Sequence, residues 1–346
     1  MDSNTLDLYV QEIQNQASPC ISAVILSDAS VLYRKDLGYR QLIPQALPLT
    51  EHTLFDLASL TKVVGTLMAT LRLMEKKELS LDMNLGFFFS DAGNYKETTI
   101  AQLLTHTGGC IAEMRLEHYL KDREEALAFM LHQPVRYKPG TKVEYSCFGY
   151  IILAKILEKI TEIPFEKLIT QEVTDPLGMH MTVFNPLLKF PDAQYAATER
   201  LEDTGEILCG VVHDENSRFL GGIAGNAGLF STAEDLTRFC RMLLCNGQSE
   251  KGTFLCTESM NLLFNLQTGS CEGEKRTLGF KIGDAQLLGT HASAQAIGHT
   301  GFTGTSIAID PLLNRAAILL CNRVHPSRKN TALLGMRKGF HTLAFQ

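Results

Sequence analysis

The sequence predicts an α+β fold: one sheet assembled from the two ends of the chain, with a mostly helical middle. Three observations predict it. Short β-prone runs separated by turn-forming residues lie near both ends. Between them the apolar residues fall at helical spacing. No repeat and no Pro/Gly/Ser-rich linker interrupts the 346 residues, so the groove between sheet and helices is where a site is sought.

The elements follow in order. Cys20 to Leu26 and Val31 to Tyr33 flank Ser27-Asp28-Ala29-Ser30, which is a hairpin pattern. Leu60, Val63, Val64, Leu67, Met68, Leu71 and Met74 recur at i, i+3, i+4, i+7 and make one helical stripe. Thr98/Thr99 opens a short helix, Ile100 to His106, which Gly108-Gly109 stops. Phe148 to Ile160 is a further periodic helix. Ser231-Thr232-Ala233-Glu234 has the spacing of a capping box begun by Ser231, with Leu236, Phe239, Cys240, Leu243 and Leu244 on one face behind it. Thr305 to Ile309 and Arg315 to Cys321 flank Asp310-Pro311-Leu312-Leu313-Asn314 and form a second hairpin.

Composition narrows the function classes. With 32 Lys+Arg against 38 Asp+Glu the net charge is −6. No basic run offers a phosphate footprint, which argues against nucleic acid as a partner. No apolar stretch approaches the ~18 residues of a spanning helix. The first sixteen residues, Met1 to Gln16, lack the basic start and apolar run of a secretory signal. The 9 cysteines are odd in number and contain no C-x-x-C pair, so free thiols and a cytoplasmic location are expected. His106 lies near Cys110, but no second pair answers them, so no metal is expected.

Three segments carry residue types fit for chemistry. In Ser59-Leu60-Thr61-Lys62 the first and last side chains share a helix face, so the hydroxyl and the amine can meet. A serine becomes a nucleophile only when a neighbour takes its proton, and a desolvated lysine has its pKa lowered toward that task. The competing reading has Ser59 capping the helix and Lys62 reaching solvent. Tyr145-Ser146-Cys147 precedes a helix; a phenol beside an ammonium relays protons, whereas Ser146 as a cap and Tyr145 as packing is the bland alternative. Gly298-His299-Thr300-Gly301-Phe302-Thr303-Gly304 leads into a strand and lets a substrate backbone approach closely; it also reads as a plain turn. The chain has no G-x-S-x-G elbow, and its glycine-rich 221–228 stretch matches neither the dinucleotide nor the phosphate loop. It also lacks H-E-x-x-H.

The order S-x-x-K, then Y-S-x, then H-T-G before a terminal strand resembles the serine β-lactamase and penicillin-binding-protein superfamily. The likeness is to the branch holding class C β-lactamases, D,D-carboxypeptidases and β-lactamase-like esterases. Thr53 to Lys62, Leu103-Leu104-Thr105-His106-Thr107-Gly108-Gly109 and Ala227 to Leu236 extend it over about residues 20–325. The resemblance implies a five-stranded antiparallel sheet flanked by helices, with a second, mostly helical domain. The sheet domain would be 1–65 with 205–346, the helical one 66–204, and the site the groove between them. Ser59 would be acylated. Lys62 and Tyr145 would share the general-base role, and His299 would stand where a Lys is usual. The N–H groups of Ser59 and Phe302 would form the oxyanion hole, with Thr300 and Gly301 beside the substrate. No metal or organic cofactor is implied.

Two departures bear on substrate. Cys147 replaces an Asn able to hold a substrate amide, and a thiol is a weak donor. His299 in place of Lys makes carboxylate clamping weaker and pH-dependent. Gly210 to Asn216 resembles a stretch of esterase-like and cell-wall-fragment-cleaving relatives, so His213 is expected to line the groove or to tie a loop. His106 is read as structural. The expected activity is acyl-enzyme hydrolysis of a small ester or amide, including peptidoglycan fragments. The alternatives are a β-lactamase or D,D-carboxypeptidase, and a penicillin-binding sensor that does not turn over.

Overall fold

The computed structural model describes residues 2–346. Strand β1 (Cys20–Leu26) turns at Ser27–Ser30 into β2 (Val31–Gln41), and β2 pairs onward with the short β3 (Leu47–Pro48). From the far end come β4 (Lys281–Ile282), β5 (Ile297–Thr300), β6 (Ser306–Asp310) and β7 (Arg315–Cys321). All pair antiparallel in the order β3-β2-β1-β7-β6-β5-β4. The sheet therefore has seven strands where five were expected. The two additional members are two-residue strands, one at each edge, too short to leave a period-two signal.

β1 is buried along its whole length and β7 at every residue but Arg315, and apart from Ser22 and Arg315 both are apolar, because both faces of the sheet are covered. Ile21, Ala23 and Ile25 pack with Ala317, Leu319 and Cys321 against α1 (Ser3–Ala17) and the C-terminal helix Ala332–Ala344. Cys20, Val24 and Leu26, with Ala316, Ile318 and Leu320, face the main core instead. The side-chain alternation of a strand divides the two sets. That main core continues without a break into the helices of residues 66–204.

Both predicted hairpins and all the predicted helices form, with local differences. The helix after Ser59 opens with one π turn, Lys62–Thr66, before α2 (Leu67–Glu75). The helix Ile100–Leu104 is capped by Thr99 and Gln102 and stops two residues early, because His106 takes a left-handed φ of 58°. α3 (Cys147–Thr161) is capped by the Ser146 hydroxyl, which accepts from Phe148 N–H. α4 (Ala233–Leu244) begins at Thr232 rather than Ser231: Thr232 Oγ1 accepts from Asp235 N–H. Ser231 instead ends the small strand Leu229–Ser231, which pairs with Phe55–Asp56 and Val183–Phe184. No helix of the described residues is long and apolar enough to cross a membrane.

The C-terminal helix, α5 (Ala332–Ala344), is locked to the sheet through buried His341. Its Nδ1–H donates to Leu287 O at 2.7 Å, and Nε2 accepts from Ser306 Oγ at 3.3 Å. Burial pushes this imidazole down to about 4. Between the ordinary histidine range and that value the unfolded chain binds more protons than the folded one, so stability is complete above pH ~6.5 and is lost as pH falls. Urea titrations from pH 7.5 to 4.5 are expected to show this loss, and His341→Gln to flatten its slope. An identical slope in the variant would exclude His341 as a source.

Candidate active site

A strained turn presents Ser59. Ala58, just before it, sits at a left-handed φ of 46°, which costs about 1 kcal/mol or more for a residue with a Cβ. Buried Asp56 holds the turn: Oδ1 accepts Ala58 N–H at 2.8 Å and Oδ2 accepts His213 N–H at 2.7 Å. The loop after β5 is fastened to the same turn, since Thr303 Oγ1 donates to Asp56 O and Thr305 Oγ1 to Leu57 O. Gly301 makes that closeness possible; a Cβ there would lie 2.5 Å from Leu57 O. The outcome is that Ser59 and Phe302 line one cavity, and neither backbone N–H has a protein acceptor among the described residues.

Lys62 is fully buried. Its Nζ donates to Ser59 Oγ at 3.0 Å, to Asn226 O at 2.9 Å and to Cys147 Sγ at 3.5 Å. The ring of Tyr145 is 5.0 Å away and that of Tyr150 5.8 Å. Burial works to lower the Lys62 pKa, but interaction with Cys147 and Tyr145 in their anionic forms, with the hydrogen bond to Tyr145, outweighs burial and holds it above the usual value. The expected depressed amine is thus not what the surroundings produce: Lys62 is an ammonium. The Cys147 thiol is pushed up by burial, against the pull of Lys62.

Tyr145 is packed between rings and cations. His106 lies 4.4 Å from it, centroid to centroid, and His299 6.0 Å; the Arg276 guanidinium is 5.4 Å from the ring. Buried His106 accepts from Ser146 N–H through Nδ1, in keeping with its structural reading. His299 is buried as well, with Nδ1–H donating to Thr300 O at 2.9 Å. Burial, then the cations Arg276 and Lys62, hold its pKa well below the ordinary histidine value. His299 is therefore neutral across the physiological range, and the expected pH-dependent clamp does not arise from it. Its Nε2 is left as an acceptor.

A cavity of about 500 Å³ opens beside this group, and Ser59, Tyr145, His299, Thr300, Gly301 and Phe302 line it. Cys147 touches Lys62 from the start of α3. His213 does not line the cavity: it is buried beneath Phe302, its ring stacked on the phenyl at 5.4 Å. The far wall holds residues that no motif announced. Arg276 is paired with Glu274 at 2.7 Å, and Lys281 with Glu274 and Asp284. Arg323 and Arg337 also line the cavity, are 4% and 7% exposed, and make no ion pair among the described residues. Each has an Nε with no partner. Among the described residues no three His, Cys, Asp or Glu side chains gather as a metal site.

The family model described as Beta-lactamase matches residues 6–337. A relative from Escherichia coli (strain K12), named as a D-alanyl-D-alanine carboxypeptidase, is 32% identical over 360 residues, covering 93% of this chain and 82% of its own. Among solved structures, the octameric penicillin-binding protein homologue from Pyrococcus abyssi superposes with a TM-score of 0.76 at 25% identity, over 97% of this chain and 76% of that one. EstCE1, a hydrolase with promiscuous acyltransferase activity, shares the fold with a TM-score of 0.78 at 19% identity, over 99% of each chain. The chain belongs to the Beta-lactamase family and is a serine hydrolase of that kind.

Proposed function

We propose that Ser59 is the acylated nucleophile of a hydrolase for small esters or amides that carry a carboxylate. The observation that supports the nucleophile is the contact between Ser59 Oγ and a buried ammonium, at the mouth of a cavity where two backbone N–H groups stand unclaimed. The Lys62–Tyr145 pair, holding one proton fewer than its fully protonated form, shares the general-base role: it takes the serine proton as the acyl bond forms and returns that proton to the leaving group. The Lys62 Nζ lies 5.0 Å from the centre of the Tyr145 ring, close enough for the two to act as a pair. The oxyanion of the tetrahedral intermediate is received by the N–H groups of Ser59 and Phe302. Water then attacks the acyl-enzyme by the reverse route. Cys147 and Thr300 border the substrate, and we place the site in the groove between a sheet unit (1–65 with 205–346) and a helical unit (66–204).

Substrate charge follows from the far wall. Two cations there are matched by Glu274 and Asp284, whereas Arg323 and Arg337 are buried, donate to the backbone carbonyls of Asn330 and Gly304, and have no carboxylate among the described residues. A buried unpaired charge is costly, and a substrate carboxylate relieves it. This favours substrates of the kind named for the carboxypeptidase relatives, including peptidoglycan fragments, over neutral esters. It also takes carboxylate recognition away from His299. With no amide donor at Cys147, recognition of an acylamino side chain is weak, which disfavours an efficient β-lactamase.

Two measurements test the reading. Ser59→Ala is expected to abolish labelling by a fluorophosphonate probe, and Tyr145→Phe to lower acylation by ~100-fold or more. Labelling of the Ala variant at the parent level would remove Ser59 from the mechanism. The second compares mono-p-nitrophenyl glutarate with p-nitrophenyl butyrate. A hydrogen bond to a charged group is worth about 1.5–3 kcal/mol, roughly 10- to 100-fold, so Arg323→Gln with Arg337→Gln is expected to reduce the glutarate-to-butyrate ratio of kcat/KM by at least tenfold. A ratio equal to the parent's would show that the two arginines do not read the carboxylate.

A further inference from the structure

His213 reaches both halves of the oxyanion hole while touching neither the cavity nor Ser59. Its backbone N–H donates to Asp56 Oδ2, and the other oxygen of that carboxylate fixes the Ala58 turn that aims Ser59 N–H. Its imidazole lies almost parallel to the ring of Phe302, 19° between planes and 5.4 Å between centroids. Phe302 is 49% exposed, and the guanidiniums of Arg323, at 4.8 Å, and Arg328, at 5.7 Å, also lie against its ring. The imidazole is itself held. Nε2 meets Glu199 Oε2 at 3.0 Å, and Arg328 grips the same carboxylate at 2.5 Å and Glu215 at 2.7 Å. Burial would raise the Glu199 pKa, but the hydrogen bonds from His213 and Arg328 bring it down to about 2. Glu199 is therefore a carboxylate at all working pH values, and the His213 ring is clamped from below.

The structure assigns to His213 the role of positioning residue for the oxyanion hole: it sets the separation of the Ser59 and Phe302 N–H groups by binding one through Asp56 and the other through a stacked ring. This rests on the proposal that those two N–H groups receive the oxyanion. A donor displaced by about 1 Å costs up to ~100-fold in rate, and the loss falls on the tetrahedral state rather than on substrate binding.

The test uses the full chain with a p-nitrophenyl ester and with phenylboronic acid, which forms a tetrahedral adduct on a serine oxygen. His213→Leu removes both the ring and the Glu199 contact; His213→Phe keeps the ring; His213→Gln keeps a donor for Glu199. The Leu variant is expected to lose roughly 10- to 100-fold in kcat/KM, with KM changed less than threefold and boronate affinity falling by the same factor as the rate. His213→Phe is expected to recover most of both. Equal kcat/KM in parent and variants, or a rate loss with no matching loss of boronate affinity, would overturn the assignment. Should the Leu variant fail to fold, the Phe and Gln variants decide it by the same correlation. A parent that neither labels with a fluorophosphonate nor binds the boronate would overturn the nucleophile reading instead.

Discussion

An ammonium sealed from water with no carboxylate against it is the constraint around which this site is built. Lys62 is entirely buried, its three donors go to Ser59 Oγ, Asn226 O and Cys147 Sγ, and no carboxylate bonds to it. An unpaired buried charge survives only if every surrounding dipole is turned toward it. The chain meets this demand by close backbone approach. At Gly225 an added Cβ would fall 2.0 Å from Tyr150 O, so only glycine lets the 221–228 loop press against α3 and bring Asn226 O to Nζ. The Asn226 side chain is fixed in turn by Ser217 and Asp214, and the faces of Tyr145 and Tyr150 complete the enclosure.

That cation then governs the titration of its neighbours. With Lys62 and Arg276 close by, adding a further positive charge to His106 or His299 is doubly unfavourable, once for burial and once for repulsion. Both imidazoles are held neutral, which leaves Lys62 and Tyr145 as the pair on which the proposed proton transfer at Ser59 rests.

Much of this was legible in the sequence, and what was not has identifiable reasons. The two hairpins and the long helices show because their apolar residues repeat at a fixed period and their turns use polar residues. Ser59 and Lys62 show because residues three apart meet on one helix face. Edge strands of two residues carry no period, so β3 and β4 left no trace. Ser231 and Thr232 are both good caps, and only the pairing of Leu229–Ser231 in a sheet decides between them. Arg276, Arg323 and Arg337 come from three separate segments and converge through tertiary packing alone. The raised pKa of Lys62 was equally invisible, because burial by itself predicts the opposite sign and the neighbours that reverse it sit 83 and 85 positions away in the chain, at Tyr145 and Cys147.

The two motif departures make sense together once the charges are placed. A Lys at position 299 would set a third ammonium or guanidinium near Tyr145, beside Lys62 and Arg276. A neutral imidazole avoids that repulsion, and its Nδ1–H is satisfied by Thr300 O. At position 147 a thiol accepts from Lys62 at 3.5 Å and asks for little in return, whereas an amide would need its own donors satisfied in the same enclosed space. On the reading proposed above, carboxylate recognition falls instead to Arg323 and Arg337 across the cavity, which lie on the strand-to-helix connection and on α5, away from the Ser59 turn and the buried amine behind it.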